Sequence, residues 1–92
     1  MRAEQYPVIN VLNVFRGVPG KTIPYQITPY RFSKSNGEVY HIKQIRHFHK
    51  NRSGKGWHFH YIISTRERRR FRLLFDTNSF TWRLLEEIKD EL

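Results

Sequence analysis

His47-Phe48-His49-Lys50-Asn51-Arg52-Ser53-Gly54-Lys55-Gly56-Trp57-His58-Phe59-His60 carries the same three residues, His-Phe-His, at both ends of a glycine-bearing segment. Successive side chains on a strand point to opposite faces, so each copy sends its imidazoles to one face and its phenyl ring to the other. A turn centred on Ser53-Gly54 makes the two copies the arms of one hairpin. It sets Phe48 opposite Phe59, His49 opposite His58 and His47 opposite His60. Four of the five histidines then share a face.

The same logic extends toward the C-terminus. A three-residue loop at Arg66-Glu67-Arg68 aligns Ile63 with Phe71, Tyr61 with Leu73 and Phe59 with Phe75. A two-residue loop would set arginines against the apolar residues, so the hydrophobic pattern selects the register. A turn at Thr77-Asn78 aligns Phe75 with Phe80, Leu73 with Trp82 and Phe71 with Leu84. Thr81, Leu84, Leu85, Ile88 and Leu92 also have helical spacing, and Ser79 could cap a helix. A strand through about Glu86 is preferred, because Phe80, Trp82 and Leu84 continue the apolar face.

Toward the N-terminus, Ser35-Asn36-Gly37 reads as a three-residue loop with glycine at the left-handed position, pairing Phe32 with Tyr40 and Tyr30 with Ile42. Thr22 to Ser33 is extended, with Pro24 and Pro29 pointing to an edge or a bend. Val8 to Phe15 is apolar on both faces, as a buried first strand would be. Gln44 and Arg46 interrupt the alternation, which implies a bulge or a strand end. The expected fold is all-β, an antiparallel meander of five to six strands curled into a small SH3-like or OB-like half-open barrel. Its inner face is assigned Tyr30, Phe32, Tyr40, Ile42, Phe48, Trp57, Phe59, Tyr61, Ile63, Phe71, Leu73, Phe75, Phe80, Trp82 and Leu84. The 92 residues make one domain, with 1–6 and 88–92 expected to fray.

Composition limits the function. The chain has a net charge of +9 and no cysteine, which excludes disulfides and thiolate metal sites and agrees with a cytoplasmic setting. Nothing approaches the roughly 20 apolar residues of a spanning helix. Between Lys43 and Arg72 lie ten lysines and arginines and one acid, Glu67, whereas Glu86, Glu87, Asp90 and Glu91 make the C-terminus acidic. Such polarity points to nucleic acid or an acidic protein as partner, and it also allows a homo-oligomer.

The face opposite the core is assigned His41, Lys43, His47, His49, His58, His60, Arg70, Arg72 and Arg83, with Ile45, Ile62, Leu74 and Leu85. Nucleic-acid contact is expected from Lys43, Arg70, Arg72 and Arg83 on the sheet and from Lys50, Arg52, Lys55, Arg66, Arg68 and Arg69 on the loops. Lysine and arginine displace counterions from phosphates and read little sequence. Stacking platforms are not evident, since most rings are allotted to the core.

No glycine-rich phosphate loop, paired carboxylates or nucleophile with a base appears, so the expectation is non-enzymatic, with no cofactor. Zinc is a secondary reading, with His47, His49, His58 and His60 as ligands and Asp76 placed opposite His58. A protein-interaction or assembly module is the alternative function.

Overall fold

β1 (Val8–Gly17), β2 (Tyr25–Ser33), β3 (Val39–Ser53), β4 (Gly56–Thr65), β5 (Arg70–Asp76) and β6 (Thr81–Ile88) follow one another in this computed structural model, which describes residues 2–89. Each strand pairs antiparallel with the next and β6 returns to β1, so the meander closes into a small barrel. The C-terminal segment is a strand, as the continuing apolar face predicts. Residues 3–5, expected to fray, form a 3-10 turn with Ala3 buried, and Arg83 Nη1 donates to the Tyr6 carbonyl at 2.7 Å. Residues 90–92 of the other expected frayed end lie outside the described residues.

Alternation places Phe32, Tyr40, Phe59, Tyr61, Ile63, Phe71, Leu73, Phe75 and Trp82 inside, and all are buried. The rings interlock, with Phe32 edge-on to Phe71 at 5.1 Å and Tyr61 tilted against Trp82 at 5.2 Å. Pairs of this kind contribute about 0.5–1.5 kcal/mol beyond the area they bury. Ile9, Ile23 and Ile27 complete the core from the first third of the chain.

Three rings assigned to the core are outside it. Tyr30 is the extra residue of a bulge, because Leu12 pairs with Arg31 and Asn13 with Pro29. Phe80 sits in a turn with φ +54° and is 67% exposed. Phe48 is 45% exposed, because β3 leaves the barrel wall beyond its first residues. The first strand is also not buried on both faces, since Val8, Leu12 and Val14 face outward and are exposed.

Two hairpins close later than expected. Ser53 pairs with Gly56, so the loop is Gly54-Lys55, with Gly54 at φ +59° in the first loop position, where a tight hairpin turn favours glycine. Phe48 therefore faces Tyr61, His49 faces His60 and Asn51 faces His58. The β5–β6 loop spans residues 77–80, and Phe75 pairs with Trp82. Asn78 N donates to Asp76 Oδ1 at 2.9 Å, which fixes the start of that loop. Both shifts are of two residues next to the loops, so Phe48 and Trp82 keep the faces that alternation gives them, while a further shift between Arg72 and Leu73 pairs Phe71 with Glu87 instead of Leu84. The Phe32–Tyr40 and Phe59–Phe75 alignments are as expected.

At about 3.3 Å per residue, the 15 residues of β3 would run roughly 46 Å if straight. The molecule is 41 Å in its longest dimension. Register shifts between Ile42 and Gln44 and between Ile45 and His47 bend the strand, at the positions where Gln44 and Arg46 break the alternation. β3 bonds β2 only through Val39, Tyr40 and His41. Beyond them β2 and β3 diverge, and the barrel wall opens into a cleft.

Candidate nucleic-acid interface

The bend in β3 carries Lys43, Arg46, Lys50 and Arg52 along one exposed strand toward Lys55 in its turn. Among the described residues no ion pair engages these five side chains. The Arg52 guanidinium lies 4.9 Å from the centre of the Trp57 ring and Lys50 Nζ 6.0 Å from it, so the indole supports both cations from below. The tip is anchored to the neighbouring loop. Trp57 N donates to Thr77 Oγ1 at 2.7 Å, Thr77 N donates to the Trp57 carbonyl at 3.0 Å, and Asn78 Nδ2 donates to the Ser53 carbonyl at 2.8 Å.

The remaining expected cations do not join this row. Arg66 and Arg68 lie in the β4–β5 turn at the far end of β4, both exposed, with Arg68 in the left-handed region at φ +64°. Arg69 is a structural strut. Its Nε and Nη2 donate to the two Glu87 oxygens at 2.7 and 3.0 Å, and Nη1 donates to the Tyr40 hydroxyl at 2.7 Å. Those bonds hold the Arg69 guanidinium above its ordinary range. Arg70, Arg72 and Arg83 are half-buried on the outer surface of β5 and β6. His41, at the opposite end of β3, bonds Glu67 through its backbone N and through Nδ1, at 2.9 and 3.0 Å, which lowers the Glu67 carboxyl.

The histidines divide as well. His47 and His49 are exposed, whereas His58 and His60 are each 6% exposed, and Leu74 beside His60 is fully buried although it belongs to the outer face. The outside of β4 and β5 is thus a second, covered layer. The His49 and His60 rings stack at 4.4 Å and within 5° of parallel. Imidazole lone pairs lie in the ring plane and must converge on an ion, so two parallel rings point past a common centre. His58 Nε2 lies 3.6 Å from Asp76 Oδ1, and the expected pairing of these two residues is present. Among the described residues no three such groups gather in a way that could hold a metal. Burial, reinforced by His49, His58 and Arg72, lowers the His60 pKa to about 4.

Alternation alone could not reveal the cleft between the β1–β2 tip and β3. It has a volume of about 580 Å³. One wall carries Tyr25, Ile27 and the loop residues Val18, Lys21 and Ile23, the other carries Ile45, Phe48 and Lys50, and the floor is Phe59 and Tyr61. Tyr25 stacks on Phe15 at 4.9 Å, and Tyr25 and Phe48 each approach Phe59, at 6.0 and 5.9 Å. Tyr61 Oη donates to the Ile27 carbonyl at 2.6 Å, tying the floor to the β2 wall. No lining residue is acidic. The rings that the sequence allotted wholly to the core include Phe48, which here faces solvent beside lysine. The one sequence signal was the break at Gln44 and Arg46, which marks where β3 bends away.

No known protein family, no curated protein and no solved structure matches the chain. Among the described residues no helix is long and apolar enough to cross a membrane.

Proposed function

We propose that this protein binds nucleic acid without catalysis and with little sequence preference, using the phosphate backbone as its main contact. One observation carries the reading: β3 and its turn present Lys43, Arg46, Lys50, Arg52 and Lys55 on one exposed arm, with no acidic residue from Val39 to Arg66. Arg66 and Arg68 form an outlying contact at the other end of the molecule. Arg69 is withdrawn from the contact set because Glu87 and Tyr40 hold it.

Binding of a labelled mixed-sequence oligonucleotide across a salt series tests the proposal. Affinity falls steeply with salt, and the double variant Lys50→Ala/Arg52→Ala lowers the logarithmic slope by about 1.4 on a single strand, at roughly 0.7 per phosphate contact. Absence of binding to single strand and duplex at low salt overturns the reading. A second reading rests on the β3 edge facing away from β4, which beyond His41 has no strand partner among the described residues. A peptide could add there as a further strand. Recovery of a defined protein partner that survives nuclease treatment would favour it.

A further inference from the structure

We infer that the cleft between the β1–β2 tip and β3 is a seat for an unstacked base, so that the protein prefers single-stranded to duplex nucleic acid. This rests on the nucleic-acid reading above and adds the part of the ligand that phosphate contacts leave undefined. Three features select a planar, uncharged ring flanked by negative charge.

The first is shape. At about 580 Å³ the cleft falls within the range of small-molecule sites. It is open to solvent through the gap where β2 and β3 separate, which follows from the restriction of β2–β3 pairing to Val39, Tyr40 and His41.

The second is chemistry. Tyr25 and Phe48 stand on opposite walls and converge on Phe59, so a flat ring entering between them meets aromatic surface from both strands. Phe48 is half exposed although its alternation belongs to the core, which leaves part of its ring open to stack on an incoming group. Base-on-ring stacking tolerates any base, in keeping with low sequence preference.

The third is charge. Lys21 and Lys50 sit on the two walls, and no acid lines the site. Lys50 also belongs to the basic row of β3, so the cleft opens directly off the proposed phosphate track. A duplex keeps its bases stacked and cannot supply one without unpairing, whereas a single strand can place a base in the cleft while its phosphates follow β3.

The test compares four probes by fluorescence anisotropy at one low salt concentration: a mixed-sequence 15-nucleotide single strand, its duplex, the same single strand with abasic sites at its centre, and an acidic peptide. Wild-type protein binds the intact single strand about five- to a hundred-fold more tightly than the abasic strand or the duplex. Phe48→Ala brings the intact strand down to the abasic level and leaves duplex affinity unchanged. Phe48→Trp keeps the preference, and a single cooperative melting transition well above the assay temperature shows that both variants fold. Equal affinity for intact and abasic strands, or no effect of Phe48→Ala, overturns the base seat while leaving phosphate binding intact. Binding of the acidic peptide that depends on Phe48, with no preference for the intact strand, also overturns it and assigns the cleft to protein. Absence of binding to every nucleic acid removes both readings together.

Discussion

The two His-Phe-His copies have identical residues and opposite surroundings. In residues 58–60 the phenyl ring is 3% exposed and both imidazoles are covered. In residues 47–49 the phenyl ring is 45% exposed and both imidazoles face solvent. The difference lies in strand position. β4 is bonded on both sides, to β3 and β5, while the matching part of β3 is bonded to β4 alone. An alternating pattern fixes which way a side chain points, but whether anything stands on that side depends on strands elsewhere in the chain.

The contrast is largest in packing. Phe59→Ala costs about 3–5 kcal/mol, as for other buried phenyl truncations. Phe48→Ala removes a half-exposed ring and costs about 1 kcal/mol. Chemical denaturation of the two variants measures both. Equal losses would mean that the two copies are buried alike in solution.

Anchoring of the hairpin tip comes next. A Cβ on Gly56 would collide with Thr77 Oγ1 and come within 2.7 Å of Asn78 Oδ1. Gly56→Ala is therefore expected to destabilise by about 1–3 kcal/mol through overpacking. Gly54→Ala acts differently, since the added carbon meets only Asn78 Oδ1 at 3.9 Å and the cost is backbone strain at positive φ. A Gly56→Ala protein with the wild-type melting temperature would show that the tip is not docked on the β5–β6 loop.

Acid should separate the histidines. The covered His60 titrates at about 4 in the fold against an ordinary 6.5, so the unfolded chain takes up the proton first. This contribution to stability is full above about pH 6.5 and is lost as the pH falls through about 4, a change on the order of 2 kcal/mol. His60→Phe flattens that part of the melting-temperature profile. A profile unaltered by the substitution would mean that His60 is not desolvated. The smallest effect belongs to His47→Ala, within about 0.5 kcal/mol at neutral pH, as for other exposed positions.

Much of the fold was legible because independent turns led to one apolar face. Phe32 opposite Tyr40, Phe59 opposite Phe75 and the strand character of Trp82 and Leu84 all follow from alternation plus loop length. The two-residue slips at Gly54-Lys55 and at residues 77–80 were not legible, because a shift by two leaves every face unchanged and the hydrophobic pattern cannot detect it. Tyr30, Phe48 and Phe80 were misplaced for separate local reasons: a bulge, a departing strand and a left-handed turn residue. Of the candidate site, the basic row on β3 was visible as composition. The engagement of Arg69 by Glu87 and Tyr40 was not, since Glu87 reaches it through the β5–β6 register beyond the shift at Arg72 and Leu73, and Tyr40 comes from β3, two strands away. Nor was the cleft, which exists because two neighbouring strands stop pairing.

The hydroxyl of Tyr61 gives that opening a fixed gauge. A barrel that parts along one seam behaves like a pair of calipers, and the bond from Tyr61 on β4 to the Ile27 carbonyl on β2 fixes one jaw to the floor of the gap. Burial raises the phenol above its ordinary range, so the donor keeps its proton wherever the protein is folded. The gauge therefore reads the same in acid or neutral solution. On the proposed reading, a base seated there meets a β2 wall tied to the cleft floor by that bond.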